Sequence, residues 1–306
     1  LYLKTIIRKR KETGKMKKFI TMILCSVIVL MLAGCAVRQT EVQDDSQNGE
    51  LRIISTSAPL CTIMDKLDLD LVGVPETAFT IPERYKDATI VGAPMMPDFE
   101  IIKSLNPTDV LTPKALQSDL QQHYQRIGVP STFVNLLSLN GLFKSIEGLG
   151  EKYDRAEQAN ALILEYEAYM SEIKEYVKGK KSPDVLILFG FPGMYMVATE
   201  NSYVGSLVSI MGGTNVFEDS EPFVSVNTEE LILKDPDIIL RASHAMPDVV
   251  LAAFAQEFEE NDIWKHFRAV QQGRVYDLDH NMFGMSANLN YKQGLEYLKG
   301  IFYERN

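Results

Sequence analysis

Between Asp154 and Gly179, apolar side chains return at alternating intervals of three and four: Ala156, Ala159, Ile163, Tyr166, Met170, Ile173 and Val177. That is the repeat of one helical face. Asp154 and Glu157 have the spacing of a capping box at its start, and Gly179 has the backbone freedom to end it. Roughly 24 helical residues at about 1.5 Å each would span about 36 Å, the width of a small domain. The pattern on either side is different. Short β-branched runs alternate with helical periods over residues 51–150 and again over 182–306, which predicts α/β structure with parallel sheets. The chain therefore reads as two Rossmann-like lobes joined by one long α-helix over residues 151–181. A single domain with one long core helix would have the same periodicity.

In the first half the runs predict strands at Leu51–Thr56, Leu71–Val74, Val110–Thr112 and Thr132–Val134. Helices are expected at Thr62–Leu69, Phe99–Leu105, Leu116–Ile127 and Leu139–Leu149, with Asp98 as an N-cap. Ser55 to Pro59 reads as a small-residue turn, and Gly92 to Asp98 as a loop held extended by Pro94 and Pro97. The second half predicts strands at Val185–Phe189, Met194–Ala198, Ile238–Arg241 and Arg274–Leu278. Its helices are Val204–Met211, Glu229–Lys234 capped by Thr228, Val249–Phe258, Asp262–Ala269 and Lys292–Tyr303. One motif occurs twice. Glu100 stands seven residues before Pro107, Glu229 seven before Pro236, and in each copy a helix feeds an apolar strand. Their symmetric placement about the long helix suggests that the lobes are distant copies.

The N-terminal pattern belongs to neither lobe. Lys17 and Lys18 precede an apolar run, Phe19 to Leu32, that closes on Leu-Ala-Gly-Cys at Cys35. A basic start, a short apolar stretch and small residues make a secretory signal, and the run is shorter than the roughly 20 residues that span a bilayer. Met16 is the expected start, which makes residues 1–34 an upstream extension and signal. Leu32 to Cys35 resembles the lipobox of bacterial lipoproteins, whose cysteine carries the lipid. Residues 35–50 would then be the lipidated cysteine and a polar, flexible tether. Residues 1–34 hold eight of the 31 basic and one of the 41 acidic residues, so the chain from Cys35 onward carries a formal −17. A surface so acidic argues against nucleic acid and anionic lipid as direct partners. With Cys25 in the signal and Cys35 lipidated, Cys61 has no disulfide partner and reads as a buried structural thiol.

The sequence carries no phosphate loop, nucleophile elbow, zinc-protease helix or paired-cysteine motif, so no enzyme is expected. The four histidines, at 123, 244, 266 and 280, are dispersed. His123 and His266 read as structural. Arg84 and Tyr85 read as surface residues with some capacity for binding. His244 stands just past a buried strand, before Pro247, where parallel sheets present side chains to ligands. Met95 holds a similar place in the first lobe. Facing each other, an imidazole and a thioether would make an axial pair for haem iron, with no position left for oxygen. The same residues also fit a plainer role, with Met95 and Met96 filling core gaps and His244 bonded to its own turn.

Several stretches together carry a resemblance: Leu67–Gly73, Arg84–Asp87, Gly92–Met95, Val185–Leu188, Asp237–Arg241, His244–Pro247 and Asn261–Phe267. Over its mature length the chain resembles the class III substrate-binding proteins of ATP-binding-cassette importers, whose two lobes are joined by a single helix. It is most similar to the haem-receptor lipoproteins of the iron-regulated surface determinant system, the IsdE type. The resemblance implies that Met95 and His244 are the axial haem ligands, with Met96 and Met246 as other sulfurs nearby. It implies that Glu100 and Glu229 dock a permease dimer, although both also fit as first-turn glutamates favoured by the helix dipole. It further implies a receptor lipid-anchored through Cys35 to the extracytoplasmic face of a Gram-positive membrane. Such a receptor would take haem from a cell-surface donor protein and pass it to the importer for iron. Haem propionates are expected at helix N-termini, with Arg241 a minor candidate. A ferric-siderophore or cobalamin receptor of the same fold would keep the lipobox and both glutamates without needing Met95 or His244.

Overall fold

The computed structural model describes residues 51–244 and 246–304. The expected signal, Cys35 and tether lie outside the described residues. From Leu51 onward the chain forms one compact unit.

The first half builds β1 (Ile53–Ser55), α1 (Ala58–Lys66), β2 (Leu71–Val74), β3 (Thr89–Ile90) and a small hairpin of β4 (Gly92–Ala93) and β5 (Met96–Pro97). It continues with α2 (Phe99–Ser104), β6 (Asp109–Pro113), α3 (Gln117–Ile127), β7 (Ser131–Val134) and α4 (Leu139–Lys152). Five of these strands form a sheet ordered β3-β2-β1-β6-β7, parallel throughout. α5 (Ala156–Val177) follows. The second half holds β8 (Asp184–Phe191), β9 (Met194–Ala198), α6 (Tyr203–Ile210), β10 (Thr214–Asn215), β11 (Phe223–Val224) and α7 (Thr228–Lys234). After these come β12 (Ile238–Ser243), α8 (Pro247–Glu260), α9 (Arg268–Gln271), β13 (Val275–Asp277) and α10 (Tyr291–Lys299). Its sheet runs β11-β9-β8-β12-β13, with β10 also pairing β8; β9 pairs antiparallel with both β8 and β11, and the other pairings are parallel.

The physical reasons follow the sequence. β8 and β12 are buried on both faces and are continuous apolar runs. α5 buries only Ala159 and Ile173 fully, with Ile163, Tyr166, Met170 and Val177 half-buried beside them, so it lies along the outside as a strut. Phe143 of α4 stacks on Tyr166 of α5 at 4.0 Å, and Tyr291 of α10 meets both edge-on. One apolar cluster therefore runs from the first sheet through α4 and α5 into the second.

Several local expectations are corrected. Asp154 does not cap α5. It adopts a left-handed conformation (φ 56°) that ends α4, where the Arg155 amide donates back to Gly150 O at 2.7 Å. Gly179 (φ 74°) does end the helix as expected. Of the Ser55–Pro59 stretch only Thr56 and Ser57 form a turn; Ser55 ends β1 and α1 begins at Ala58, because a proline in a first helical turn sacrifices no hydrogen bond. Asn227, not Thr228, is the N-cap of α7 and accepts from the Glu230 amide. Asp98 caps α2 as expected, accepting from the Glu100 and Ile101 amides.

Candidate functional site

In an open parallel sheet, ligands bind beyond the carboxyl ends of the strands, at the point where the strand order reverses. In the second sheet that point lies between β8 and β12. There Ser243 pairs with Gly190, and the His244 amide donates to Gly190 O at 2.8 Å. Gly190 must lack a side chain, since a Cβ would approach Val250 Cγ1 to 2.3 Å and Phe254 to 2.7 Å; α8 could not then pack against the strand end. The backbone that carries His244 is thus fixed on both sides.

The His244 ring meets Phe191 edge-on at 5.6 Å between centroids, with Phe189 behind at 6.4 Å. Burial holds its pKa below the ordinary 6.5, so the imidazole is neutral at physiological pH. Among the described residues neither ring nitrogen has a hydrogen-bond partner. A neutral imidazole with an available lone pair is the form that binds a metal. The role of a turn-bonding histidine is therefore not the one the ring plays; its backbone does that.

Met95 sits at the tip of the β4–β5 hairpin, which grows from the carboxyl end of β3 and leads directly into α2. The hairpin is locked by Gly92 (φ 89°), whose carbonyl accepts from the Glu76 amide. Met95 is 67% exposed and Met96 79%, so neither fills a core gap.

The two carboxyl edges face each other. Phe79, in the loop after β2, packs on His280, in the loop after β13, at 5.2 Å between centroids. The Ala287 amide in that same loop donates to Leu136 O, just past β7, at 2.7 Å. Met95 and His244 lie at these two carboxyl edges, one in each half. Glu100 is exposed on α2 immediately beyond the hairpin, and Glu229 is exposed on α7 in the other half.

Exposed apolar side chains are concentrated at these edges. Of the ten large hydrophobic residues exposed among the described residues, six lie in or beside loops beyond strand ends: Met95, Met96, Leu137, Met194, Met246 and Val249. Sequence reasoning singled out three of them and missed Leu137, Met194 and Val249, because exposure is not written in a pattern of apolar positions. An apolar surface collected at a cleft marks a binding site.

Other candidates fall away. Arg241 is held by Asp277 through two bonds, Nε to Oδ1 at 2.6 Å and Nη2 to Oδ2 at 2.8 Å, and lies over Phe258. It serves the β12–β13 pairing and is not available to a ligand. Arg84 is claimed by Asp65, Asp68 and Asp70, and the buried Tyr85 donates to Leu69 O. His123 stacks on Phe99. Cys61 is buried, and burial pushes its thiol up to about 11, so it is inert. No group of three or more His, Cys, Asp or Glu side chains suited to a metal ion occurs among the described residues. No helix among them is long and apolar enough to cross a membrane.

With this geometry in place, a family model described as periplasmic binding protein matches residues 53–282. The chain belongs to the periplasmic binding protein family. The high-affinity heme uptake system protein IsdE of Staphylococcus aureus strain Newman is 40% identical to this binding protein over 289 residues, 94% of this chain and 98% of that one. The structure of S. aureus IsdE complexed with heme matches with a TM-score of 0.80 at 43% identity, covering 84% of this chain and 100% of the other. An ABC transporter substrate-binding protein from Listeria monocytogenes EGD-e matches with a TM-score of 0.79 at 44% identity over the same shares. The two α/β lobes and the long connecting helix are those of a substrate-binding protein.

Proposed function

We propose that this binding protein is a haem receptor that delivers haem to an ATP-binding-cassette importer for iron supply. The observation that carries the reading is the place of His244, at the point where the second sheet reverses its strand order, with its ring against Phe191 and neither ring nitrogen hydrogen-bonded among the described residues. His244 and Met95 are the axial ligands of the iron, and the aromatic and methionine side chains at the cleft edges cover the porphyrin. With both axial positions filled by protein, the chain carries haem and does not turn it over. The propionates meet the N-terminus of α1, which begins at the corresponding reversal between β1 and β6. There Ser57, its N-cap residue, makes no side-chain cap; Pro59 has no amide hydrogen and the Cys61 amide donates to Ser57 O, so the Ala58 and Leu60 amides are the ones left to a carboxylate.

Residues 51–150 and 182–306 are the two lobes, and residues 151–181 the linking segment. Glu100 and Glu229, each exposed on the first turn of its helix, meet basic side chains of a permease dimer. Cys35 carries the lipid that holds the receptor on the outer face of a Gram-positive membrane, where it takes haem from a cell-surface donor protein. The relatives named for heme uptake support the haem ligand and the transport role.

The test is a titration of the unlipidated chain with haem, a ferric siderophore and cobalamin. The proposal expects one haem per chain with a low-spin, six-coordinate absorption spectrum, and neither competitor displacing it. Binding of a siderophore or cobalamin in place of haem would overturn the ligand while leaving the fold and the transport role standing.

A further inference from the structure

We propose that Leu233 is an apolar anchor for the importer's membrane-spanning subunits, beside the Glu229 carboxylate; the inference rests on the reading of Glu229 and Glu100 as docking residues. α7 is seated by Leu231, fully buried against the cluster that contains Phe217, Trp264 and Phe267. At about 100° per residue, positions two before and two after a buried residue fall about 20° either side of the direction pointing straight out. Those positions are Glu229 and Leu233. They form one outward stripe, and Leu233 is 85% exposed, more than any other large hydrophobic residue among those described.

A lone exposed leucine means little by itself. The comparison within the chain gives it meaning. α2 repeats the arrangement: Ile102 is fully buried, and Glu100 and Ser104 take the two outward positions. The carboxylates correspond, but the neighbours do not. Ser104 is polar, and its hydroxyl is turned inward to Ile101 O at 2.7 Å. The two docking helices are therefore matched in charge and unmatched in apolar contact, which makes the second half-site the one with a desolvated centre.

The chemistry of the occupant follows from the surroundings. Glu229 and Glu230 are exposed on α7, and the chain from Cys35 onward carries a formal −17. Lys234, also exposed beside Leu233, holds its ammonium over the Phe217 ring at 5.1 Å, and a permease that receives Glu229 would present cations around an apolar recess. Seating a leucine side chain in such a recess strengthens docking by about tenfold or more.

The full lipidated chain, loaded with haem, is reconstituted in nanodiscs with the permease–ATPase complex of its own importer. The concentration giving half-maximal ATP hydrolysis is then measured. Leu233→Ser should raise that concentration about tenfold, Ser104→Leu should lower it, and neither should alter the haem spectrum or the melting temperature. If Leu233→Ser matches the parent chain while Glu229→Gln weakens docking, the anchor is overturned and the carboxylate reading stands. If Leu233→Ser weakens docking and neither Glu100→Gln nor Glu229→Gln does, the anchor stands and the carboxylate reading falls. If no variant has an effect, both fall. Sedimentation of the full chain in detergent closes the remaining route. Dimers abolished by Leu233→Ser, with stimulation unchanged, would make a second copy the occupant and overturn the proposal.

Discussion

His244 shows how one residue is prepared by its surroundings. The backbone is held by Gly190, the ring is walled by Phe191, and burial disfavours the imidazolium. Because the folded pKa lies below the ordinary 6.5, protonation competes with iron only in acid. Haem retention should be flat through neutral pH and begin to fall below about 6.5, approaching tenfold per pH unit beneath the lowered pKa. Absorbance during an acid titration reads this directly, and haem loss that began above neutrality would contradict it. The sign for the haem-free protein is the same. Below about 6.5 the unfolded chain binds the proton before the folded one does, so stability falls as pH drops through that window. The residue scale is also where sequence reasoning erred: Arg241 stands three residues from His244, yet its guanidinium is spent on Asp277. Proximity in sequence does not say which neighbouring strand will claim a side chain.

At the scale of elements, the long runs were legible and the short ones were not. β8, β12 and α5 bury enough apolar surface to impose their period on the sequence. The β4–β5 hairpin has two residues per strand, too few to show any period, so its sequence has the signature of an extended loop. β10 and β11 were missed for the same reason. Helix ends misled where two residues competed: Asn227 and Thr228 both suit a cap, and the chain geometry chose Asn227. Elements are also pinned by contacts that no pattern announces. Asp109, buried at the start of β6, accepts from Tyr153 Oη at 2.5 Å, Lys152 Nζ at 2.5 Å and Thr132 Oγ1 at 2.8 Å. This network ties the end of α4 to the sheet. Asp109→Ala leaves the Tyr153 and Thr132 hydroxyls without this acceptor, while Lys152 keeps Thr132 Oγ1, and should cost about 3 kcal/mol in urea denaturation, with haem stoichiometry unchanged.

Over the whole molecule, three features hold the halves in register: α5, the Tyr291 cluster and the bridging loop after β13. Tyr291 is nearly buried and touches Phe143, Tyr166 and Tyr169. Tyr291→Ala should destabilise the chain by about 3 kcal/mol and, by loosening one half against the other, speed haem dissociation measured by transfer to excess apomyoglobin. A stability loss with an unchanged off-rate would mean that the cleft is set by α5 and the loop contacts alone. The architecture as a whole was the most legible property of the sequence, because two lobes and a long helix are each written over many residues. The cleft was less so, since it is assembled from loop tips that are distant in sequence. Iron held by Met95 and His244 is read from the absorption spectra of haem-loaded Met95→Ala, Met96→Ala and His244→Ala chains. A low-spin, six-coordinate spectrum should survive Met96→Ala and be lost in the other two. A spectrum unchanged by both His244→Ala and Met95→Ala would contradict that ligand pair.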